Sequence, residues 1–103
     1  MEEKKVIWIT GASSGIGEYV SYEYAKKGNH LALCARRKEK LEALHHILQE
    51  KYEIRVLSYC FDVRDLNMCI EMANDLSSRE IVPDILVNNA GLASGKDRIQ
   101  DGL

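Results

Sequence analysis

The chain of 103 residues is long enough for one small domain, which would bury about two-thirds of the surface that its unfolded form exposes. Its 14 basic and 16 acidic residues give a formal net charge of −2, so the charge balance gives no indication of nucleic-acid binding. No apolar run approaches the ~18 residues of a membrane span, and the N-terminus has no signal-peptide pattern. We therefore expect a cytoplasmic protein with neither nucleic acid nor membrane among its partners.

The cysteines Cys34, Cys60 and Cys69 form an odd set, and their spacing matches no zinc pattern. Cys34 and Cys60 lie within apolar runs. We therefore expect all three to be reduced and mostly buried thiols, and we expect no metal site.

Strands and helices are predicted to alternate along the chain. Apolar, partly β-branched runs predict strands at 5–10, 30–35, 54–60 and 84–88. Helical spacing of apolar residues predicts helices at 15–27, 38–51 and 65–78. Gly28-Asn29 is typical of a helix end, and Asp65 fits an N-cap. The expected fold class is α/β, with residues 1–103 forming the first half of a Rossmann-like, doubly wound parallel sheet, β-α-β-α-β-α-β, in strand order 3-2-1-4.

The most informative stretch runs from Thr10 to Gly17, between the first predicted strand and the first predicted helix. Its glycines have the spacing Gly-x-x-x-Gly-x-Gly. Gly11 allows a tight turn off the strand, Gly15 lets the backbone approach a pyrophosphate, and Gly17 lets the helix pack closely on the sheet. A plain glycine-rich turn between strand and helix is the alternative interpretation.

This turn leads into a helix N-terminus, where free backbone N–H groups and the positive end of the helix dipole favour anions. Ser13 and Ser14 can add hydroxyl donors and cap the helix. The stretch therefore predicts a site for the pyrophosphate of a dinucleotide cofactor.

Three motifs in order resemble signatures of the classical short-chain dehydrogenase/reductase family. Thr10-Gly11-Ala12-Ser13-Ser14-Gly15-Ile16-Gly17 resembles its Thr-Gly-x-x-x-Gly-x-Gly signature. Asp62-Val63 resembles the motif after the third strand, and Asn88-Asn89-Ala90-Gly91 resembles the motif that ends the fourth. The resemblance covers essentially the whole chain. It implies the N-terminal, coenzyme-binding portion of an oxidoreductase that transfers hydride between a nicotinamide cofactor and a hydroxyl or carbonyl substrate.

The end of the second predicted strand, Cys34-Ala35-Arg36-Arg37, bears on the choice of cofactor. In a dinucleotide site an acidic residue here binds the ribose 2′-OH of NAD, whereas Arg accommodates the 2′-phosphate of NADP. Two arginines and no carboxylate stand here, and Arg can bind a phosphate through two hydrogen bonds. We therefore expect NADP rather than NAD, with a pair of solvated arginines as the alternative.

The resemblance also implies roles for the two later motifs. Asp62 would accept from the adenine amino group, and Ala90 and Gly91 would leave room for the cofactor ribose. Asn88 would tie strands together through its amide, whereas Asn89 also fits a simple turn. The full expected cofactor-binding set is Gly11, Ser13, Ser14, Gly15, Ile16, Gly17, Arg36, Arg37, Asp62, Val63, Asn89, Ala90 and Gly91.

Tyr22 and Lys26 have the Tyr-x-x-x-Lys spacing of the family's catalytic pair, but they lie on the first helix instead of one after a fifth strand. We expect Tyr22 to be a partly buried packing residue and the adjacent His45-His46 to be surface or boundary residues. The family's catalytic residues would lie beyond Leu103, so none is assigned and we expect this chain alone to be inactive.

The segment from Gly91 to Arg98 weakly resembles the NADP-dependent branch that acts on 3-hydroxy acids, and a small-molecule substrate is expected only in a full-length form. Two rival functions stay open: a non-catalytic dinucleotide-binding module, and a structural or interaction fragment that binds no cofactor. The last predicted strand, Ile85-Leu86-Val87, would present an unpaired apolar edge, so we also expect self-association.

Overall fold

The structure, a computed structural model, describes residues 4–89. Its elements in chain order are β1 (Val6–Thr10), α1 (Gly15–Lys26), β2 (His30–Ala35), α2 (Lys38–Lys51), β3 (Val56–Cys60), α3 (Leu66–Ser78) and β4 (Ile85–Asn88). The strands form one parallel sheet in the order β3-β2-β1-β4. The predicted α/β class and strand order are confirmed, although three predicted strands begin one or two residues too early. The predicted site residues Ala90 and Gly91 lie outside the described residues.

Helices pack on both faces of the sheet because successive strand residues point to opposite sides. Ile7 and Ile9 of β1 are fully buried in the cluster that also holds Leu41 and Leu48 of α2. Trp8, between them, packs on the other face with the cluster that holds Met72 of α3. Burial of each aliphatic side chain such as Ile7 or Ile9 stabilises the folded state by about 1.5–3 kcal/mol. This packing fixes the positions of the strands and hence of the loops that follow them.

The predicted helix boundaries follow from local chemistry. Gly28 has φ +88°, a left-handed conformation that glycine adopts without strain, and it ends α1. Asp65 caps α3, its side chain accepting a hydrogen bond from the Met68 N–H at 3.3 Å. Both predictions are confirmed. Within residues 4–89, no helix combines the length and the apolar character that a bilayer-spanning helix requires.

The expectation of three mostly buried thiols is wrong for Cys60. Cys34 is buried, Cys69 is half-buried and Cys60 is exposed, and all three are free. Cys60 is the last residue of β3, which pairs with β2 alone among the described strands. An apolar run shows that a strand is partly buried, but it does not show that the strand lies at the edge of the sheet.

Candidate functional site

The loops that carry the predicted motifs meet at the end of the sheet where the strands have their carboxyl ends. All four strands are parallel, so their carboxyl ends lie on the same side. In open α/β sheets ligands bind outside these ends, where the strand order reverses. Here the order reverses between β1 and β4, the strands that the glycine turn and Asn89 follow.

The turn after β1 has the shape that its glycine predicts, but one serine behaves differently from expectation. Gly11 has φ +64°, so a glycine is favoured there. Ser14 is the N-cap residue of α1, yet its side chain makes no capping hydrogen bond. Its hydroxyl instead donates to the Gly11 carbonyl oxygen at 2.9 Å, and the predicted capping role is therefore wrong. Because no capping side chain occupies the first N–H groups of α1, they remain available to an anion.

Gly15 and Gly17 face different surroundings. A Cβ at Gly15 would meet no atom within 4 Å, so the helix start is open to an approaching ligand. A Cβ at Gly17 would lie 2.0 Å from the Gly11 carbonyl oxygen and 2.7 Å from Asn89 Nδ2. Gly17 therefore permits close packing as predicted, but the closest contacts are with the turn and with Asn89. Ser13 is half-buried in the turn, and Ile16 is exposed on the first turn of α1.

Two asparagines tie β4 to this turn. Thr10 Oγ1 donates to Asn88 Oδ1 at 3.1 Å, which confirms the predicted tie between strands. Asn89 is buried, and its Nδ2 donates to the Gly11 carbonyl oxygen at 2.9 Å and to Ser14 Oγ at 3.1 Å. Sequence reasoning left Asn89 open to interpretation as a simple turn residue. The available signal was an amide with two donors placed just after an apolar strand.

A charged cluster lies at the ends of β2 and β3. Arg36 and Arg37 are both exposed there. Arg36 Nη1 lies 3.5 Å from Asp62 Oδ2. Arg64, which sequence reasoning did not select, holds the same carboxylate, with its Nη2 2.7 Å from Asp62 Oδ2. The hydrogen bonds from Arg64 keep the pKa of Asp62 well below its usual range. Val63, between them, packs beside α3.

The residues set aside by sequence reasoning lie elsewhere. Tyr22 is half-buried against the core, as predicted. Lys26 pairs with Glu23 at 3.2 Å in the last turn of α1. This turn precedes the amino end of β2, whereas the glycine turn follows the carboxyl end of β1. His45 is half-buried and bonds Ser58 Oγ, whereas His46 is exposed, so both are boundary or surface residues as predicted. Residues 4–89 hold no group of three or more side chains arranged to ligate a metal.

The parallel sheet and the glycine turn at its switch point define a Rossmann-like α/β protein. Residues 5–101 match the family described as short chain dehydrogenase. The chain belongs to this family of oxidoreductases.

Relatives extend well beyond the matched region. The chain is 43% identical over 98 residues to an NADP-dependent 3-hydroxy acid dehydrogenase of Schizosaccharomyces pombe, a match that covers 94% of this chain and 38% of the relative. It is 43% identical over 89 residues to 11-beta-hydroxysteroid dehydrogenase-like 3 of Arabidopsis thaliana, covering 86% and 29%. Among solved structures, L-sorbose reductase from Gluconobacter frateurii, complexed with NADPH and L-sorbose, has a TM-score of 0.79 and 38% identity, covering 84% of this chain and 33% of that one. The chain thus spans about a third of the length of these relatives.

Proposed function

We propose that this chain is the coenzyme-binding part of an NADP-dependent short-chain oxidoreductase. The whole enzyme would transfer hydride between NADP(H) and a hydroxyl or carbonyl substrate, with a 3-hydroxy acid as the first class to test. The observation that carries the proposal lies at the carboxyl ends of two neighbouring parallel strands: the open helix start at Gly15 follows β1, and the exposed Arg36 follows β2, which ends without a carboxylate. We further propose that residues 1–103 form one domain and that the protein is cytoplasmic.

The residues present fit a dinucleotide. The uncapped first turn of α1 offers N–H groups and the helix dipole to the pyrophosphate, and Gly15 leaves space for it. Arg36 and Arg37 would hold the 2′-phosphate, and Asp62 would accept from the adenine amino group. The bound cofactor supplies or accepts the hydride, and the chain's own residues bind and orient it.

Relatives support the choice of phosphorylated cofactor. The Schizosaccharomyces pombe relative is NADP-dependent. The NADPH-dependent pterin aldehyde reductase of Arabidopsis thaliana is 37% identical to this chain over 95 residues, and the L-sorbose reductase structure contains NADPH. A substrate of the longer enzyme would complete the set of small-molecule partners.

The proposal is tested by comparing two nucleotides that differ only in the 2′-phosphate. We expect calorimetry on the full chain to show that adenosine 2′,5′-bisphosphate binds about ten- to a hundredfold more tightly than 5′-AMP, because a charge-assisted hydrogen bond contributes about 1.5–3 kcal/mol. Arg36→Asp should remove the preference. Arg79→Asp, at an exposed position in a different part of the fold, should leave it intact. Equal affinity of the wild-type chain for both nucleotides would defeat the NADP assignment.

Activity assays separate the rival functions: NADP+ reduction is followed with hydroxy acids, and NADPH oxidation is followed with keto sugars and ketosteroids. We expect no turnover by the 103-residue chain, since proton transfer by a positioned acid/base alone contributes about 10²–10⁴-fold. Turnover that Tyr22→Phe abolishes would contradict both this expectation and the packing role of Tyr22. Nucleotide binding with no activity in any longer form would favour a non-catalytic module, and absence of binding would favour an interaction fragment.

A further inference from the structure

We infer that Arg64 is a positioning residue that sets the preference of this site for a phosphorylated ribose, acting through Asp62. By neutralising the Asp62 carboxylate, Arg64 leaves the charge of Arg36 available to a 2′-phosphate. The inference rests on the proposed function, and it adds a residue that belongs to none of the recognised motifs.

The hydrogen bonds around Asp62 are unequally shared between the two arginines. Arg64 donates from its backbone N–H to Asp62 Oδ1 at 2.9 Å, from Nε to Oδ1 at 3.1 Å, and from Nη2 to Oδ2 at 2.7 Å. Arg36 makes a single contact, from Nη1 to Oδ2 at 3.5 Å. A bidentate guanidinium–carboxylate pair is the stronger arrangement, so Asp62 belongs to Arg64 and is only loosely held by Arg36.

The pairing of Asp62 with Arg64 affects how strongly Arg36 can attract a phosphate. The Asp62 oxygen lies 3.5 Å from the Arg36 guanidinium, close enough to offset its charge and to repel a phosphate that Arg36 binds. With Arg64 in place, the three side chains together carry a formal charge of +1. An aspartate is already charged at neutral pH, and hydrogen bonds from Arg64 lower the pKa of Asp62 further, so the carboxylate that Arg64 compensates is fully charged there.

A purely structural role for Arg64 makes a different prediction. The Arg64–Asp62 pair spans a tight turn in which the Asp65 N–H also donates to the Asp62 carbonyl oxygen at 2.8 Å. If Arg64 only held this turn in shape, its loss would weaken the binding of nucleotides with and without a 2′-phosphate equally. The charge argument predicts a selective loss.

The test measures, by calorimetry on the full chain, the ratio of affinities for adenosine 2′,5′-bisphosphate and 5′-AMP. We expect Arg64→Gln to lower this ratio about two- to fivefold, the size of an exposed ionic interaction, and the effect should shrink with added salt. Arg64→Lys should keep part of the ratio, because it keeps the charge. Arg79→Gln is the matched control, since Arg79 is also exposed and also pairs with an aspartate, Asp75, but lies after α3.

The pair of Asp62→Asn and Asp62→Asn/Arg64→Gln isolates the carboxylate. Asp62→Asn alone should raise the ratio, and Arg64→Gln should lower the ratio less in that background than in the wild-type chain, because no carboxylate is left to pair with Arg36. These variants also decide the matter if Arg64→Gln alone fails to fold. An unchanged ratio in Arg64→Gln or Asp62→Asn, or equal weakening of both nucleotides, would overturn the inference. A wild-type chain without a preference would overturn the NADP proposal itself.

Discussion

The side-chain amide of Asn89 donates a hydrogen bond of 2.9 Å to the Gly11 carbonyl oxygen, joining two residues that are 78 positions apart. The same nitrogen reaches Ser14 Oγ at 3.1 Å. The glycine turn is therefore held from outside, by the residue that follows β4, as well as by its own backbone. The candidate site and the β1–β4 pairing consequently form one structural unit.

Asn89→Ala should lower the free energy of unfolding by about 1–3 kcal/mol, since it removes both donors from a buried position. It should also weaken nucleotide binding, because the turn loses its external support. Urea denaturation and calorimetry measure the two effects. Asn74→Ala, at an exposed position of α3, is the control and should change neither. A variant at Asn89 that keeps wild-type stability would show that the turn holds its shape alone.

Alanine at the two helical glycines should separate stability from binding. Gly17→Ala places a Cβ 2.0 Å from a backbone oxygen, so we expect a loss of about 1–3 kcal/mol or more in stability. Gly15→Ala meets nothing within 4 Å and should be neutral or slightly stabilising, by up to about 1 kcal/mol. It should nevertheless weaken nucleotide binding, because the methyl group fills the space left for the phosphate. Unimpaired binding by Gly15→Ala would argue against a pyrophosphate at this helix start.

The order of elements was predictable because apolar periodicity reports which residues a sheet or helix buries. The glycine turn and the arginines after β2 were also predictable, since each follows from a local motif. The contacts of Asn89 and Arg64 were not, because they depend on how separate loops approach one another in the folded chain. The exposure of Cys60 could not be predicted for a similar reason: the composition of a strand does not reveal on which side it has no neighbouring strand.

Tyr59 predicts a loss of stability in alkaline solution. Burial and its hydrogen bond to Asp75 raise the pKa of Tyr59 to about 12, from 10.0. Its contribution is therefore complete below about pH 10 and is lost as the pH rises towards about 12. Tyr59→Phe should cost about 0.5–1.5 kcal/mol at neutral pH and make the alkaline decline shallower. Urea denaturation across this pH range measures both effects, with Tyr19→Phe at an exposed position as the control. An unchanged slope in Tyr59→Phe would assign the decline to other groups.

The β4 edge should drive self-association of the isolated chain. Among the described strands β4 pairs with β1 alone, and its central Leu86 is 62% exposed. An apolar, unpaired edge is a template for pairing with another chain, and a lysine on it opposes such pairing. Sedimentation velocity should show concentration-dependent association that Leu86→Lys reduces and that Leu66→Lys, on α3, does not. A wild-type monomer at every concentration would contradict this expectation.

Amide chemical-shift mapping with NADP and with NAD shows directly where a dinucleotide binds on the folded chain. We predict that both cofactors shift the amides of Gly11, Gly15 and Gly17, and that NADP alone strongly shifts Arg36. Shifts confined to the groove between β3 and α3, around Ser58 and Asp75, or no shifts with either cofactor, would contradict a dinucleotide site at the glycine turn.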